Sequence, residues 1–219
     1  LVNMSFWLAT AIMLASTVFF FVERADVNAK WKTSMTVAGL VTGIAFWHYL
    51  RMSERNAAGE VTTVYRYVDW LITVPLQIVE FYLILLAVTA VSSGLFWRLL
   101  GASLVMLVFG FLGEAGLMNS TIAFIPGMAG WLYILYEIFS GEAASLSASS
   151  KNPGGQFAFN TLRIIVTAGW AIYPIGYFLG YLAGGTDMDT VNIIYNVADL
   201  VNKTAFGLAI WAGAKMDSK

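Results

Sequence analysis

Residues Thr190 to Ala214 read TVNIIYNVADLVNKTAFGLAIWAGA, and at about 1.5 Å of rise per residue a helix of this length crosses a hydrocarbon core about 30 Å thick. Lys203 falls near its middle. An ammonium group at that depth costs roughly 2.5 to 3.5 kcal/mol on insertion scales, so it persists only where something compensates it or uses it. Asp199 stands four residues earlier, one turn away on the same face. Two readings are open from this stretch: a structural ion pair, or a lysine retained for its amine, which condenses with carbonyl compounds to a Schiff base whose cation a carboxylate can hold.

Composition places the rest of the chain in the same environment. Of 219 residues, 59% are hydrophobic and 11% charged, against about 25% charged in a soluble domain, and the mean hydropathy is +0.73. The net charge of -1 lacks the basic surplus that nucleic acid binding requires. There is no cysteine, hence no disulfide or thiolate metal site, and the single histidine, His48, rules out a multi-histidine metal centre. No phosphate-binding GxxxxGK[ST] loop is present, so work done by this chain draws on a gradient or on light.

Working outward, apolar windows give seven spans, at 4–22, 33–52, 62–88, 95–115, 120–140, 157–183 and 190–214. The first lacks a basic leader and reads as a retained helix rather than a signal sequence. Arg24, Lys30, Lys32, Arg98, Lys151, Arg163, Lys215 and Lys219 fall on one side, and only Arg51 and Arg55 on the other. The positive-inside bias therefore puts the N-terminus outside and the C-terminus in the cytoplasm. Short connections make successive helices antiparallel neighbours. The expectation is an all-α, seven-transmembrane-helix bundle over 1–219 as one domain, with the lipid bilayer as its surroundings and a long 5–6 connection, SGEAASLSASSKNPGGQ, as a mobile cytoplasmic loop. No strong internal repeat of the kind many carriers show is visible.

Span three, TTVYRYVDWLITVPLQIVEFYLILLAV, carries Arg66, Asp69, Thr73, Gln77 and Glu80 at successive separations of i+3, i+4, i+4 and i+3, which puts all five on one stripe. Asp69 and Glu80 are about 16 Å apart along the axis. In the orientation above, Asp69 lies on the outer side of Lys203 and Glu80 on the inner side. An ordered line of intramembrane carboxyls around a protonatable nitrogen marks a proton relay. Asp69, near Arg66 and the lysine cation, is expected ionised, and Glu80, among Leu, Ile and Val with Gln77 as its near polar neighbour, is expected to keep its proton. Glu114 and Glu137, near helix ends, read as interfacial.

RYVDWLITVPLQIVEFYLIL, GWAIYPIGYFLGYL and IYNVADLVNKTAFGLAIW, with FWHYLR and LVMLVFGFLGEAG, resemble the microbial rhodopsins, in particular their proteorhodopsin branch. The resemblance implies all-trans retinal on Lys203 as a protonated Schiff base. It makes Asp69 the proton acceptor and counterion, Asp199 the second counterion, Arg66 the arginine beside them and Glu80 the cytoplasmic proton donor. Asp69, Thr73 and Glu80 match the D-T-E pattern of proton-pumping members, as opposed to sodium or chloride pumps. Trp70, Met106, Trp170, Tyr173 and Pro174 match the retinal pocket, with Tyr195 and Asn202 beside it. Gln77 matches the position that is Gln in blue-absorbing and Leu in green-absorbing members. His48 matches a histidine that hydrogen-bonds the acceptor carboxylate near protomer contacts in rings of five or six, and Trp7 the neighbouring protomer's residue that meets it. Where bacteriorhodopsin has an outer glutamate pair for proton release, the 6–7 loop here offers only Asp187 and Asp189.

The function expected is thus a light-driven outward proton pump in a bacterial inner membrane, a transporter and photoreceptor rather than an enzyme. The alternatives are a slow-cycling photosensor with a signalling partner, and an ion-coupled carrier in which Asp199 and Lys203 form a structural pair.

Overall fold

A computed structural model describes residues 1–184 and 186–218; Lys219, counted above among the inner basic residues, lies outside them. Helices α1 Val2–Glu23, α2 Lys32–Ala57, α3 Thr63–Val88, α4 Ser93–Glu114 and α5 Ser120–Phe139 make five crossings, followed by a short α6, Glu142–Ser149. The sixth crossing is built from α7 Pro153–Ile164, a π-helical turn Ile165–Gly169, α8 Ile172–Tyr177 and a second π-helical turn Phe178–Leu182. The seventh is α9, Met188–Met216. Successive crossings sit side by side, and α9 closes the ring against α1, α2 and α7.

Local chemistry sets the ends. Asn119 caps α5 by accepting from the backbone N–H groups of Thr121 and Ile122, and Asn152 caps α7 by accepting from Gly155 with Pro153 in the first turn. Asp187 caps α9, and the hydrogen bonds from Thr190 hold its carboxyl below the ordinary aspartate value. Gly59, Gly116 and Gly184 adopt positive φ at the 2–3, 4–5 and 6–7 turns, all on the face that bears the N-terminus. α2 runs to Ala57, so the 2–3 connection is shorter than the Ser53–Val61 stretch that hydropathy assigns to it.

The bundle is polar inside and apolar outside. Leu8, Val18, Val105, Ile125, Leu132, Ile164 and Ile175 face outward, while Arg66, Asp69, Glu80, Asp199 and Lys203 are buried. This inversion suits a membrane protein, whose outer surface meets lipid rather than water. Five helical stretches pass as spans by length and apolarity alone, and α2 and α9 are not among them. Toward the C-terminal end a plug of Phe81, Phe159, Leu162, Phe206 and Ile210 fills the core, with Phe81 edge-on to Phe159 at 5.3 Å.

The 5–6 connection departs from the expected mobile loop. Its residues form α6, and Arg98 fastens it by donating to Glu142 at 2.5 Å and to Glu137 at 2.8 Å, while Ser92 donates to Glu142 at 2.9 Å. Glu137 is buried rather than interfacial and also accepts from Tyr133 and the Glu142 backbone. Arg163 lies in the last turn of α7, its guanidinium over the Phe139 ring at 5.0 Å. Beside this end, Asp217 gathers three segments by accepting from Trp31 at 2.7 Å, Lys30 at 2.7 Å and Asn152. Burial works to raise that carboxyl, and these hydrogen bonds outweigh it and hold it below the usual aspartate range. Gly154 and Gly213 let α7 and α9 meet backbone to backbone there; a Cβ on either would collide with the other's carbonyl oxygen.

Candidate functional site

The stripe on α3 is realised in full. Arg66, Asp69, Thr73, Gln77 and Glu80 are all buried, and so are Asp199 and Lys203 on α9, which faces it. Lys203 Nζ donates to Asp69 Oδ2 and to Asp199 Oδ2, each at 2.7 Å, so the lysine bridges the two helices. Buried charges of this kind persist only when paired and hydrogen-bonded.

The two carboxylates are held unequally. Asp199 accepts from the Tyr49 hydroxyl at 2.8 Å, the Tyr173 hydroxyl at 2.7 Å and the Trp70 indole at 3.1 Å, besides Lys203. Among the described residues Asp69 accepts only from Lys203, and its Oδ1 has no hydrogen-bond partner. His48 stands beside it, Nδ1 3.5 Å from that oxygen, but the same nitrogen lies 2.9 Å from the Ile44 carbonyl of its own helix. A contact of 3.5 Å exceeds ordinary hydrogen-bond length, so the bond to the carboxylate implied for His48 is not made. The Thr73 hydroxyl also turns away, donating to the Asp69 backbone carbonyl at 3.0 Å.

Arg66 pairs directly with neither aspartate. Its guanidinium donates to Tyr49 at 3.1 Å, Asn192 at 3.0 Å and Asn196 at 2.8 Å. Asn192 leads outward, since its Oδ1 accepts from Thr62 at 3.0 Å and both residues line a polar recess at the N-terminal face whose acids are Glu60 and Asp189. On the other side of Lys203, Glu80 and Gln77 do not meet: Gln77 Nε2 and both Glu80 carboxyl oxygens are buried without hydrogen-bond partners among the described residues.

Lys203 and Asp199 open onto a cavity between the helices. Trp70, Gln77, Met106, Trp170, Tyr173 and Pro174 line it. Tyr195 stands behind Trp70, ring centres 5.3 Å apart. Asn202 braces the opposite wall, donating to the Gly169 carbonyl at 3.0 Å, and a Cβ at Gly169 would collide with its side chain. That glycine ends the π-helical turn before Trp170, and Pro174 one turn later lacks an N–H, so the sixth crossing is locally widened where it meets the cavity.

Residues 1–216 match the family model described as bacteriorhodopsin-like protein. The chain belongs to the bacteriorhodopsin-like family. This rhodopsin is 57% identical to the blue-light absorbing proteorhodopsin of Gamma-proteobacterium Hot 75m4, across 99% of the chain and 87% of the relative. It is also 57% identical to the green-light absorbing proteorhodopsin of Gamma-proteobacterium EBAC31A08, with the same coverage. Among solved structures, the crystal structure of the blue light-absorbing proteorhodopsin from Med12 superposes with a TM-score of 0.86 at 62% identity, covering 97% of each chain.

Several residues of this rhodopsin's site escape a reading of the sequence. Tyr49, Asn192 and Asn196 complete the ion cluster from α2 and α9, and Tyr67, Trp131 and Glu114 add to the cavity wall. Glu114, half-buried at the end of α4, accepts from the Tyr195 hydroxyl at 2.8 Å. A heptad-like signal existed for the asparagines, since Asn192, Asn196, Asp199 and Lys203 recur at i+4, i+3 and i+4 along α9.

Proposed function

We propose that this rhodopsin is a light-driven outward proton pump, and the observation that carries the reading is the unequal treatment of its two aspartates. An amine on the wall of an aromatic, largely apolar cavity fits retinal, a conjugated apolar aldehyde. Bound in all-trans form as a protonated Schiff base at Lys203, retinal would supply a light-driven isomerisation that reorients the nitrogen and changes its basicity.

The remaining steps belong to side chains. Asp199, saturated by Tyr49, Tyr173 and Trp70, stays an anion and holds the site's charge balance. Asp69, 2.7 Å from the nitrogen and with one oxygen unpartnered, is the carboxylate free to take its proton. Trp70 and Trp170 keep water from the cavity wall, and Arg66 marks the outward side. Glu80, in an apolar surrounding where a neutral carboxyl costs far less than an ionised one, holds the proton that returns to Lys203. Moving one proton against 100 mV takes about 2.3 kcal/mol, and each opposing pH unit about 1.4 kcal/mol. The fall in basicity at Lys203 must supply both.

In this reading the N-terminal face is outside and the chain resides in a bacterial inner membrane. Trp7, 60% exposed on α1, supports assembly into rings of five or six with Trp7 and His48 at the contacts. Glu80→Gln tests the donor. After a flash, the return of the proton to Lys203 should slow by about 10²- to 10⁴-fold, with transfer to Asp69 unchanged. Unaltered recovery removes Glu80 from the route.

Gln77 is the colour-setting residue of the same reading. Its amide dipole, on the cavity wall near Lys203, stabilises charge localised at the nitrogen in the ground state more than charge displaced along the chain in the excited state. Gln77→Leu should therefore move the absorption maximum to longer wavelength. An unshifted band contradicts this account of the blue tuning.

A further inference from the structure

The two polar stripes continue outward beyond Arg66. On α3 the residue one turn before it is Thr62, the N-cap, whose carbonyl accepts from the Arg66 backbone at 3.0 Å. On α9 the series Lys203, Asp199, Asn196 runs on to Asn192 in the same i+3 and i+4 steps. The stripes meet at Asn192 Oδ1, which accepts from the Thr62 hydroxyl and from Arg66, each at 3.0 Å. A guanidinium has only donors, so the amide must turn its oxygen toward it. Thr62 and Asn192 are both buried, and both line the recess at the N-terminal face. Asp69 is seven residues from Thr62, about 10 Å along the axis.

A proton on Asp69 has to pass Arg66 to reach this recess. Its transfer from Lys203 discharges both partners together, so these two and Asp199 carry one net negative charge before and after the step. Arg66 thus keeps its counter-charge, remains a cation and cannot carry the proton itself. The group beyond it that can both accept and donate a proton is the Thr62 hydroxyl. The other polar row leading outward is closed. Asn196 takes the Arg66 hydrogen bond on its oxygen and donates to Ser5 at 2.9 Å, and the Ser5 hydroxyl donates in turn to the Val2 carbonyl at 2.7 Å. Asn196 and Ser5 do not line the recess.

We propose that protons leave this rhodopsin through the Thr62 hydroxyl, which Asn192 positions, an inference that rests on the pump reading above. The Asp69 carboxyl O–H bond breaks toward a water beside Arg66, and that water passes a proton to the Thr62 oxygen. The proton that Thr62 carried goes to water in the recess. Asp69 is then a carboxylate again and Thr62 a hydroxyl. One proton leaves per turn, and Glu80 admits one. Glu60, paired with Arg55 at 2.6 Å, and Asp189 also line the recess and give it the negative charge that draws a proton onward.

The test follows the retinal-loaded protein after a flash. Lys203 deprotonation is read from the visible band, the Asp69 proton from its carboxyl infrared band and release from a pH dye in the medium. Thr62→Val keeps the shape and removes the hydroxyl. Lys203 should then lose its proton at the unmodified rate, while loss of the Asp69 proton and its arrival in the medium slow about tenfold or more. Thr62→Ser should restore the rate, and Ser5→Ala, on the closed row, should leave it unchanged. Unmodified release in Thr62→Val, no recovery in Thr62→Ser, or slowing in Ser5→Ala overturns the proposal. A second measurement leaves Thr62 in place. The chain has no cysteine, so Ala57→Cys, exposed where it lines the recess, and Leu117→Cys, exposed at the 4–5 turn beside Glu114, each offer one thiol. At low salt a cationic thiol reagent at residue 57 should slow release roughly fivefold and an anionic one of the same size should not; neither should act at residue 117. Equal effects of the two charges at residue 57, or slowing at residue 117, overturns the proposal as well. If light never deprotonates Lys203 in the unmodified protein, the pump reading itself fails and this inference falls with it.

Discussion

Lys203→Ala should leave the protein colourless after retinal is added. Lys203 is the amine on the cavity wall, and Lys30, Lys32, Lys151 and Lys215 stand at the C-terminal end of the bundle. Among the described residues no other lysine can reach a ligand in the cavity. The alanine variant also removes the cation that Asp69 and Asp199 share, and breaking a buried pair by deleting one partner costs about 3 to 5 kcal/mol. Lys203→Arg separates the two effects, because a guanidinium keeps the charge but offers no primary amine. Both variants should lack the visible band, with the arginine form retaining more of its thermal stability. A band of unchanged intensity in either would show that retinal is not held on Lys203.

Asp69→Asn should retain colour and lose transport. The substitution keeps size and shape while removing a proton acceptor placed 2.7 Å from the nitrogen, and loss of a positioned base lowers proton transfer by about 10²- to 10⁴-fold. Asp199 cannot take over. Its oxygens are committed to Tyr49, Trp70 and Tyr173, so protonating it would break hydrogen bonds that an anion accepts. Flash spectroscopy reads the outcome as the rate at which Lys203 loses its proton. Deprotonation of Asp69→Asn at the unmodified rate would transfer the acceptor role elsewhere.

What could be read from the sequence follows from the reach of each interaction. The stripe from Arg66 to Glu80 and the Asp199–Lys203 pair are i+3 and i+4 relations within one helix, and every member is buried in the structure as that spacing predicts. The seven crossings were legible because lipid demands long apolar helices. The α2 and α9 crossings were read from the same apolar windows as the other five. Contacts between distant segments were not legible. Tyr49 meets Asp199 across 150 positions, and Arg66 meets Asn196 across 130; no local pattern encodes either.

The differences from expectation have physical causes of the same kind. Small residues from Ser140 to Gln156 suggest a mobile loop, but Arg98 supplies a cation that draws Glu137 and Glu142 together and orders α6. Glu114, half-buried where α4 ends, gains a hydrogen bond from Tyr195 across 81 positions that no local pattern encodes. His48 has its Nδ1 against its own helix carbonyl rather than on Asp69. The π-helical turn before Trp170 depends on Asn202 filling the space at Gly169, a pairing across 33 positions.

The central claim is tested most directly by illuminating unbuffered intact cells that contain this protein and retinal, and following external pH with and without a protonophore. The account predicts light-dependent acidification of the medium that the protonophore abolishes and that Asp69→Asn lacks. A coloured protein that completes its photocycle without moving external pH would contradict outward pumping and favour a photosensor built on the same site.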